Sequence, residues 1–516
     1  MVQQVTLKLE VAEDRHSALK RYPVLAGATV REQHQMVSIY YDTGRMALRR
    51  AGILLRLRKQ GASWQQTIKR QDDSDGGLTR RPEWQAPYLN HFDFSHVDDA
   101  ELREWLQRDK IAGRITAIFE TNVRRTVWQI DRGPGSRILA KLDRGWIASN
   151  GRRETISELE LQLLSGSIGS LYALALELAQ RQPLPPLLLS KAERGYRLFH
   201  DTPRQPVKAG RVPIDAQDSP LAAFRLIALD CLSHLQLNHA GAASSDDAEY
   251  VHQMRVATRR LRAAMRMFRP VLPGDFTAVL MEPLRELMTV LGRTRDLDVL
   301  IAEIIRPVAD ALPGEPRMAD MLAVVTDRLY SARQEAVAFL AGPRYARLHM
   351  TAARLLHGDG FQPPPLVADA EPPPTLATFA DRRLRKMQST VEQLAEHARA
   401  DDPTSLHALR IAIKRLRYAI EFFGALLPGD AGARVVRRLA TLQDELGQLN
   451  DLANAGAILM ACAAEDRDLR EAVTLIAGWH GTRHAALLEA IPGHLGEARK
   501  LRLPRVARAR RGEATD

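Results

Sequence analysis

VHQMRVATRRLRAAMRMF, residues 251–268, and LHALRIAIKRLRYAIEFF, residues 406–423, are one segment written twice at an offset of 155. The same offset pairs LPGD at 272 with LPGD at 427, Leu291-Gly292 with Leu446-Gly447, and Asp296 with Asp451. A match that runs this far without a gap marks a duplicated unit, here a helical one with pseudo-twofold symmetry. In each copy the apolar residues recur at helical spacing. Met254, Leu261, Met265 and Phe268 lie on one side of the first, and Leu409, Leu416, Ile420 and Phe423 on one side of the second. At 100° per residue, His252, Arg255, Arg259, Arg262 and Arg266 fall on the other side, within an arc of about 80°. His407, Arg410, Lys414 and Arg417 repeat that row, and Arg260 and Arg415 flank the two. Solvated helix faces usually mix signs; rows of cations with few acids between them repel, so an anion is expected against each.

The type of anion follows from what is missing. Readers of base edges and binders of single strands need aromatic stacking or base-edge contacts. Aromatic residues make up only 5% of the chain, and none interleaves with the cations of the arc. Arginine without aromatics suits phosphate oxygens, which it grips in pairs. A phosphate chain without bases is the expected ligand.

The chain has 516 residues, long enough for about three domains at roughly 150 residues each. Its net charge of +11 agrees with a polyanionic partner. Two cysteines build neither a disulfide framework nor a four-ligand zinc site, and reduced-looking cysteine usage suggests a cytoplasmic protein. The first residues carry no apolar signal-peptide core, and no apolar run approaches the ~20 residues of a membrane span. No membrane partner and no specific nucleic acid are expected. The basic run RKLRLPRVARARR near the C-terminus reads as a frayed tail over 506–516.

Residues 1–200 follow a different period. VTLKLEV, VSIYYDT, ILLRLRK, WQQTIKR, RRTVWQID, RILAKLDRGWI and SELELQL alternate apolar with polar residues, as strands do. Arg56/Arg58, Lys141/Asp143 and Glu158/Glu160 sit two apart, hence on one strand face. Several strands with mixed charge on one face predict a polar-lined barrel. The Pro-rich stretch at 201–215 reads as a linker before a helical region at 216–505. A second Pro-rich connector at 360–375 divides that region into halves at 216–359 and 376–505. The fold class is therefore α+β and multidomain: an eight-stranded antiparallel tunnel followed by an all-α repeat of helical bundles.

HxxRVxxRRLRxxxxxF at His252–Phe268, repeated as HxxRIxxKRLRxxxxFF at His407–Phe423, resembles the CHAD domain. That resemblance implies that inorganic polyphosphate binds to His252, Arg255, Arg259, Arg260, Arg262, His407, Arg410, Lys414, Arg415 and Arg417, without a cofactor, in a protein associated with polyphosphate granules in a bacterial cytoplasm. The first 200 residues resemble the CYTH domain, or triphosphate tunnel metalloenzyme fold. The match runs through YDT (41–43), LRLR (55–58), TIK (67–69), RPEW (81–84), LDRG (142–145), ELEL (158–161) and SKAERGY (190–196). This second resemblance implies triphosphate contacts from Arg56, Arg58, Lys69, Arg125, Lys141 and Lys191. It also implies a magnesium or manganese ion at Asp143, Glu158 and Glu160, and catalysis of triphosphate hydrolysis through Lys8, Glu158 and Glu160. One departure bears on activity. The family's first-strand pattern Glu-x-Glu-x-Lys is here Gln4, Thr6 and Lys8, so the lysine stays and both carboxylates are gone. A hard cation seeks anionic oxygen, which an amide and a hydroxyl replace poorly. Gln85, two residues after Glu83, thins a second acidic pair. Polyphosphate binding with a degenerate tunnel is thus the expected function, and metal-dependent inorganic triphosphatase activity the alternative.

Overall fold

The computed structural model describes residues 5–70, 78–79, 83–133, 135–358, 361 and 374–506. Gln4, most of the 360–375 connector and tail residues 507–516 lie outside the described residues. The chain divides into two compact units: residues 1–207 with 236–241 and 339–361, and residues 208–235 with 242–338 and 362–516. No described helix is long and apolar enough to cross a membrane.

The first unit is built on one antiparallel sheet of β1 (Val5–Glu10), β2 (Thr29–Thr43), β3 (Ile53–Gln60), β4 (Ser63–Arg70), β5 (Leu78–Thr79), β6 (Glu83–Pro87), β7 (Ile115–Asp131), β8 (Arg137–Ser149) and β9 (Arg152–Ser165). Its order is β5-β1-β9-β8-β7-β2-β3-β4-β6. The expected eight strands are present, extended by the two-residue β5. The period-two alternation sends Leu7 and Leu9 of β1 into full burial and leaves Thr6, Lys8 and Glu10 on the opposite face. Lys8 pairs with Glu160, and Glu160 with Lys141 across β8, so register sets charges of alternating sign side by side.

Two of the quoted motifs serve the scaffold. The Asp42 carboxylate of YDT accepts from the backbone N–H groups of Thr43, Leu48 and Arg49 at 2.7, 2.8 and 2.9 Å, and from the Tyr196 hydroxyl at 3.1 Å. It ties strand, turn and the SKAERGY helix together. Gly195 of that helix lies against Phe119, whose Cε2 would be 2.2 Å from an added Cβ, so only glycine lets the helix approach the sheet.

In the second unit the duplication is closest at its central helices. Helix Ala248–Phe268 answers helix Pro403–Phe423, and each is followed by a single 3-10 turn, Arg269–Val271 or Gly424–Leu426. The faces expected to be apolar are buried, and the two helices meet through Phe268 and Phe423, ring centroids 5.7 Å apart. The copies diverge afterwards. The first passes from helix Gly274–Val299 through the π-turns of Leu300–Ile305, whereas the second continues as one helix, Ala431–Ala463.

Candidate functional site

One side chain from each of eight strands reaches a common cavity of about 240 Å³: Lys8, Ser38, Arg56, Lys69, Glu83, Arg125, Lys141 and Glu160, from β1, β2, β3, β4, β6, β7, β8 and β9. Arg58, Gln85, Gln162 and Lys191 complete its charged and amide lining. All six expected triphosphate contacts and Lys8 are therefore brought together. Seven cations face two carboxylates.

Helix Lys191–Phe199 owes its start to a capping box: Ser190 Oγ accepts from the Glu193 N–H, and Glu193 accepts from the Ser190 N–H at 2.7 Å. That fixes Lys191 in the first turn, at the cavity wall. Its Nζ bonds Asp143 at 2.7 Å and also Glu158. Arg125 grips Asp143 with two bonds of 2.7 Å. Burial alone would raise the Asp143 carboxyl, but Lys191 and Arg125 win and hold it at about 2. Burial also works against Lys191 and Arg125, and their acidic neighbours keep both charged. Lys69 has less support. Burial first and the Arg56 guanidinium second push it down to about 8, against the pull of Glu83. Arg58 falls to about 10 by burial and by repulsion from Arg56 and Arg125. Arg56 and Arg58 each bury an Nε–H with no protein acceptor. Such donors suit a ligand that brings oxygens.

The carboxylates expected at a metal are placed otherwise. Only Glu160 lines the cavity, and its partner is Lys141 at 3.1 Å. Asp143 and Glu158 lie fully buried behind the wall, engaged by Lys191 and, for Asp143, Arg125. Thr6 supplies no carboxylate. Among the described residues no group of three or more His, Cys, Asp or Glu side chains is placed to hold a metal ion. Among the described residues the donor set does not fit a divalent cation held by protein carboxylates.

A second cavity, of about 830 Å³, lies in the helical unit. His252, Arg259, Lys414 and Arg417 line it, with Glu421, Asp430 and Asp444. Beside it a space of about 280 Å³ holds Arg410 and Lys414 opposite Asp444 and Asp451. Both rows thus contribute to one cleft. Burial and three neighbouring cations, Arg259, Arg410 and Arg255, push Lys414 down to about 8. Gly292, from the repeated Leu-Gly, leaves room for Arg255, whose Nη1 would lie 2.9 Å from an added Cβ.

The structure places several of the expected phosphate-chain residues elsewhere. Arg260 is buried, 1% exposed, and ion-paired with Asp230 and Glu421 at 2.9 and 2.7 Å, so it is no surface cation. His252 lines the cleft, but burial and then Arg295 push it down to about 4, so it carries no charge at neutral pH. Arg255 is turned to Asp296 at 3.3 Å. Arg262, His407 and Arg415 line neither cavity. An aromatic residue does stand among the cations: Tyr418 lines the cleft beside Arg417. Arg211, from the linker, also lines it. Neither is legible in the sequence, Arg211 because a linker has no period from which a facing side could be read.

The comparisons agree with this division. The CYTH domain model matches residues 3–196 and the CHAD domain model residues 226–460. A solved CHAD domain from the plant Ricinus communis is 32% identical, with a TM-score of 0.51, over 59% of this chain and 100% of that one. An inorganic triphosphatase of Haemophilus influenzae is 28% identical over 38% of this chain and 55% of its own length. An uncharacterized protein of Mycobacterium tuberculosis is 31% identical over 36% of each chain. The chain thus spans between about a third and just over half of these two curated relatives.

Proposed function

The chain belongs to the CYTH and CHAD domain families, and from that premise we propose that it binds inorganic phosphate chains at two cation-lined sites, the tunnel and the helical cleft. The observation that carries this reading is the tunnel lining, in which, among the described residues, Lys8, Arg56, Arg58, Lys69, Arg125, Lys141 and Lys191 face Glu83 and Glu160. Such an excess of cations in a closed space is costly until an anion arrives. The narrow tunnel takes a short chain or a chain end, and the wide cleft a longer polyphosphate. Association with polyphosphate granules follows from the cleft.

The second reading is metal-dependent hydrolysis of triphosphate in the tunnel, favoured by the similarity to an inorganic triphosphatase. The two separate in one experiment. Calorimetric titration with tripolyphosphate and with long-chain polyphosphate is run in chelator, beside phosphate release from tripolyphosphate with magnesium or manganese. Binding in chelator with little phosphate release is the expected result. Failure to bind either ligand would overturn the proposal, and brisk metal-dependent release would replace it with the second reading.

A further inference from the structure

The edge of β1 away from β9 is covered at Lys8–Glu10 by a strap of three residues, Pro185, Pro186 and Leu187. The Leu187 N–H donates to the Lys8 carbonyl and the Glu10 N–H to the Pro185 carbonyl, both at 2.8 Å, and Pro186 stands opposite Leu9. Four residues after Leu187 comes Lys191, in the first turn of its helix. One short strap therefore lies between two cations of the tunnel lining, Lys8 and Lys191. Successive carbonyls of an extended chain point to opposite sides, so with the Pro185 carbonyl turned to β1 that of Pro186 is turned away from it. Gln236 meets it there, donating from Nε2 to the Pro186 carbonyl. The Tyr345 hydroxyl in turn donates to Gln236 Oε1 at 2.8 Å.

Both side chains are buried, and both come from the helical half of the sequence. They lie in the two segments of that half, 236–241 and 339–361, that belong to the first unit. Their own places are fixed. Asn238 exchanges two bonds of 2.9 Å with the backbone of Val207. The His239 ring stacks on Tyr345 with centroids 4.4 Å apart, and its Nε2–H donates to the Leu340 carbonyl at 3.0 Å. Burial pushes the Tyr345 hydroxyl well above its ordinary range, so it stays a donor. Neither Gln236 nor Tyr345 lines the tunnel, so ligand contact is not their use. We infer that Gln236 and Tyr345 are positioning residues for the tunnel, a hydrogen-bonded relay that fixes the Pro185–Leu187 strap and through it aligns the tunnel cations Lys8 and Lys191 on the phosphate chain. The inference rests on the reading of the tunnel as a phosphate-chain site. Lys191 is also held by Asp143 and Glu158, so loss of the relay should fall chiefly on Lys8.

The test is calorimetric titration of the full chain with tripolyphosphate in chelator, for wild type, Gln236→Leu, Tyr345→Phe, Lys8→Met and Lys8→Met combined with Gln236→Leu. Gln236→Leu should lose about threefold to tenfold in affinity, as expected for one misaligned charge-assisted hydrogen bond. Its salt dependence should fall by about one contact, as in Lys8→Met. Added to Lys8→Met it should cost little more than Lys8→Met alone, because the cation it aligns is already gone. Tyr345→Phe keeps the ring on His239 and should lose about twofold; it decides the question should Gln236→Leu fail to fold. Wild-type protein that does not bind, or Lys8→Met that binds as well as wild type, overturns the tunnel reading itself. A weakened Lys8→Met beside Gln236→Leu and Tyr345→Phe that bind like wild type overturns the relay alone. A Gln236→Leu loss that multiplies with that of Lys8→Met and leaves the salt dependence unchanged would also refute the relay, by assigning the two residues to stability of the fold.

Discussion

Arg125 in the tunnel and Arg255 on the first cation row of the helical unit both face an aspartate, yet the two pairs are built differently. Asp143 is fully buried and held by two bonds of 2.7 Å from Arg125 and one from Lys191. Asp296 keeps 55% of its side chain exposed and accepts one contact of 3.3 Å. The carboxyls respond in opposite directions. Asp143 is pushed down to about 2, whereas burial, helped by Asp451 and resisted by Arg255, lifts Asp296 above the ordinary range. In the tunnel Asp143 and Glu158 stand behind the cations, fixing their geometry and keeping them charged. On the helical row the acid stays exposed and holds its arginine by one long contact.

Asp143→Asn at the tunnel wall and Asp296→Asn beside the helical cation row break that comparison most directly. The first leaves Arg125 buried without its paired acid and Lys191 with Glu158 alone, and should cost about 3–5 kcal/mol in urea denaturation. The second removes an exposed partner and should cost less than about 1 kcal/mol. Similar costs would mean that the two pairs do the same work. Acid titration sharpens the point with a smaller effect. A carboxyl whose folded pKa is depressed contributes stability above its unfolded pKa and loses it as the pH falls toward the folded value. For Asp143 that window runs from about 4 down to about 2. The loss across it should be on the order of 2 kcal/mol in the wild type and absent from Asp143→Asn.

The parts of this arrangement that could be read in advance are those governed by a period. Arg56, Arg58 and Lys141 announced a common face by their spacing of two, and the cation rows by their spacing of three and four. What a residue pairs with has no period. Asp143 and Glu158 share the face of the tunnel cations, so spacing could not separate a wall residue from one buried behind it; only Lys191, arriving from a helix 33 residues beyond Glu158, makes the distinction. Arg260 looked like one more cation of its row, because the acids that bury it come from another helix and another copy. The first seven residues of β2, TVREQHQ, are exposed and do not alternate, so nothing marked them as strand; they are held by pairing with β7.

Alkaline pH tests a property the two sites share. Burial and neighbouring cations bring both Lys69 in the tunnel and Lys414 in the cleft to about 8, so each loses its charge as the pH rises through that value. Tripolyphosphate affinity should therefore weaken several-fold between about pH 7 and 9.5, since a charge-assisted hydrogen bond becomes a neutral one. Lys69→Met should start weak and lose the tunnel's share of the pH dependence, leaving long-chain binding with the share owed to Lys414. An unchanged profile in Lys69→Met would remove Lys69 from the ligand's reach.

The smallest expected effect concerns the missing carboxylate of the first strand. Thr6 pairs in register with Gln162, which lines the tunnel and accepts from Lys141, and its neighbour on the same face, Lys8, pairs with Glu160. Thr6→Glu therefore brings a second acid near Glu160. In chelator the added charge should weaken tripolyphosphate by about twofold to threefold, because it offsets one of the cations nearby. Manganese should then recover at least that loss in the variant, since two carboxylates and the phosphate oxygens together offer a hard cation enough ligands. The same addition should leave wild-type affinity nearly unchanged. If manganese already tightens wild-type binding as much as it tightens the variant, the tunnel holds its ligand through a metal that Glu160 alone suffices to anchor. The contrast with the cleft would then rest on the metal and not on the seven cations.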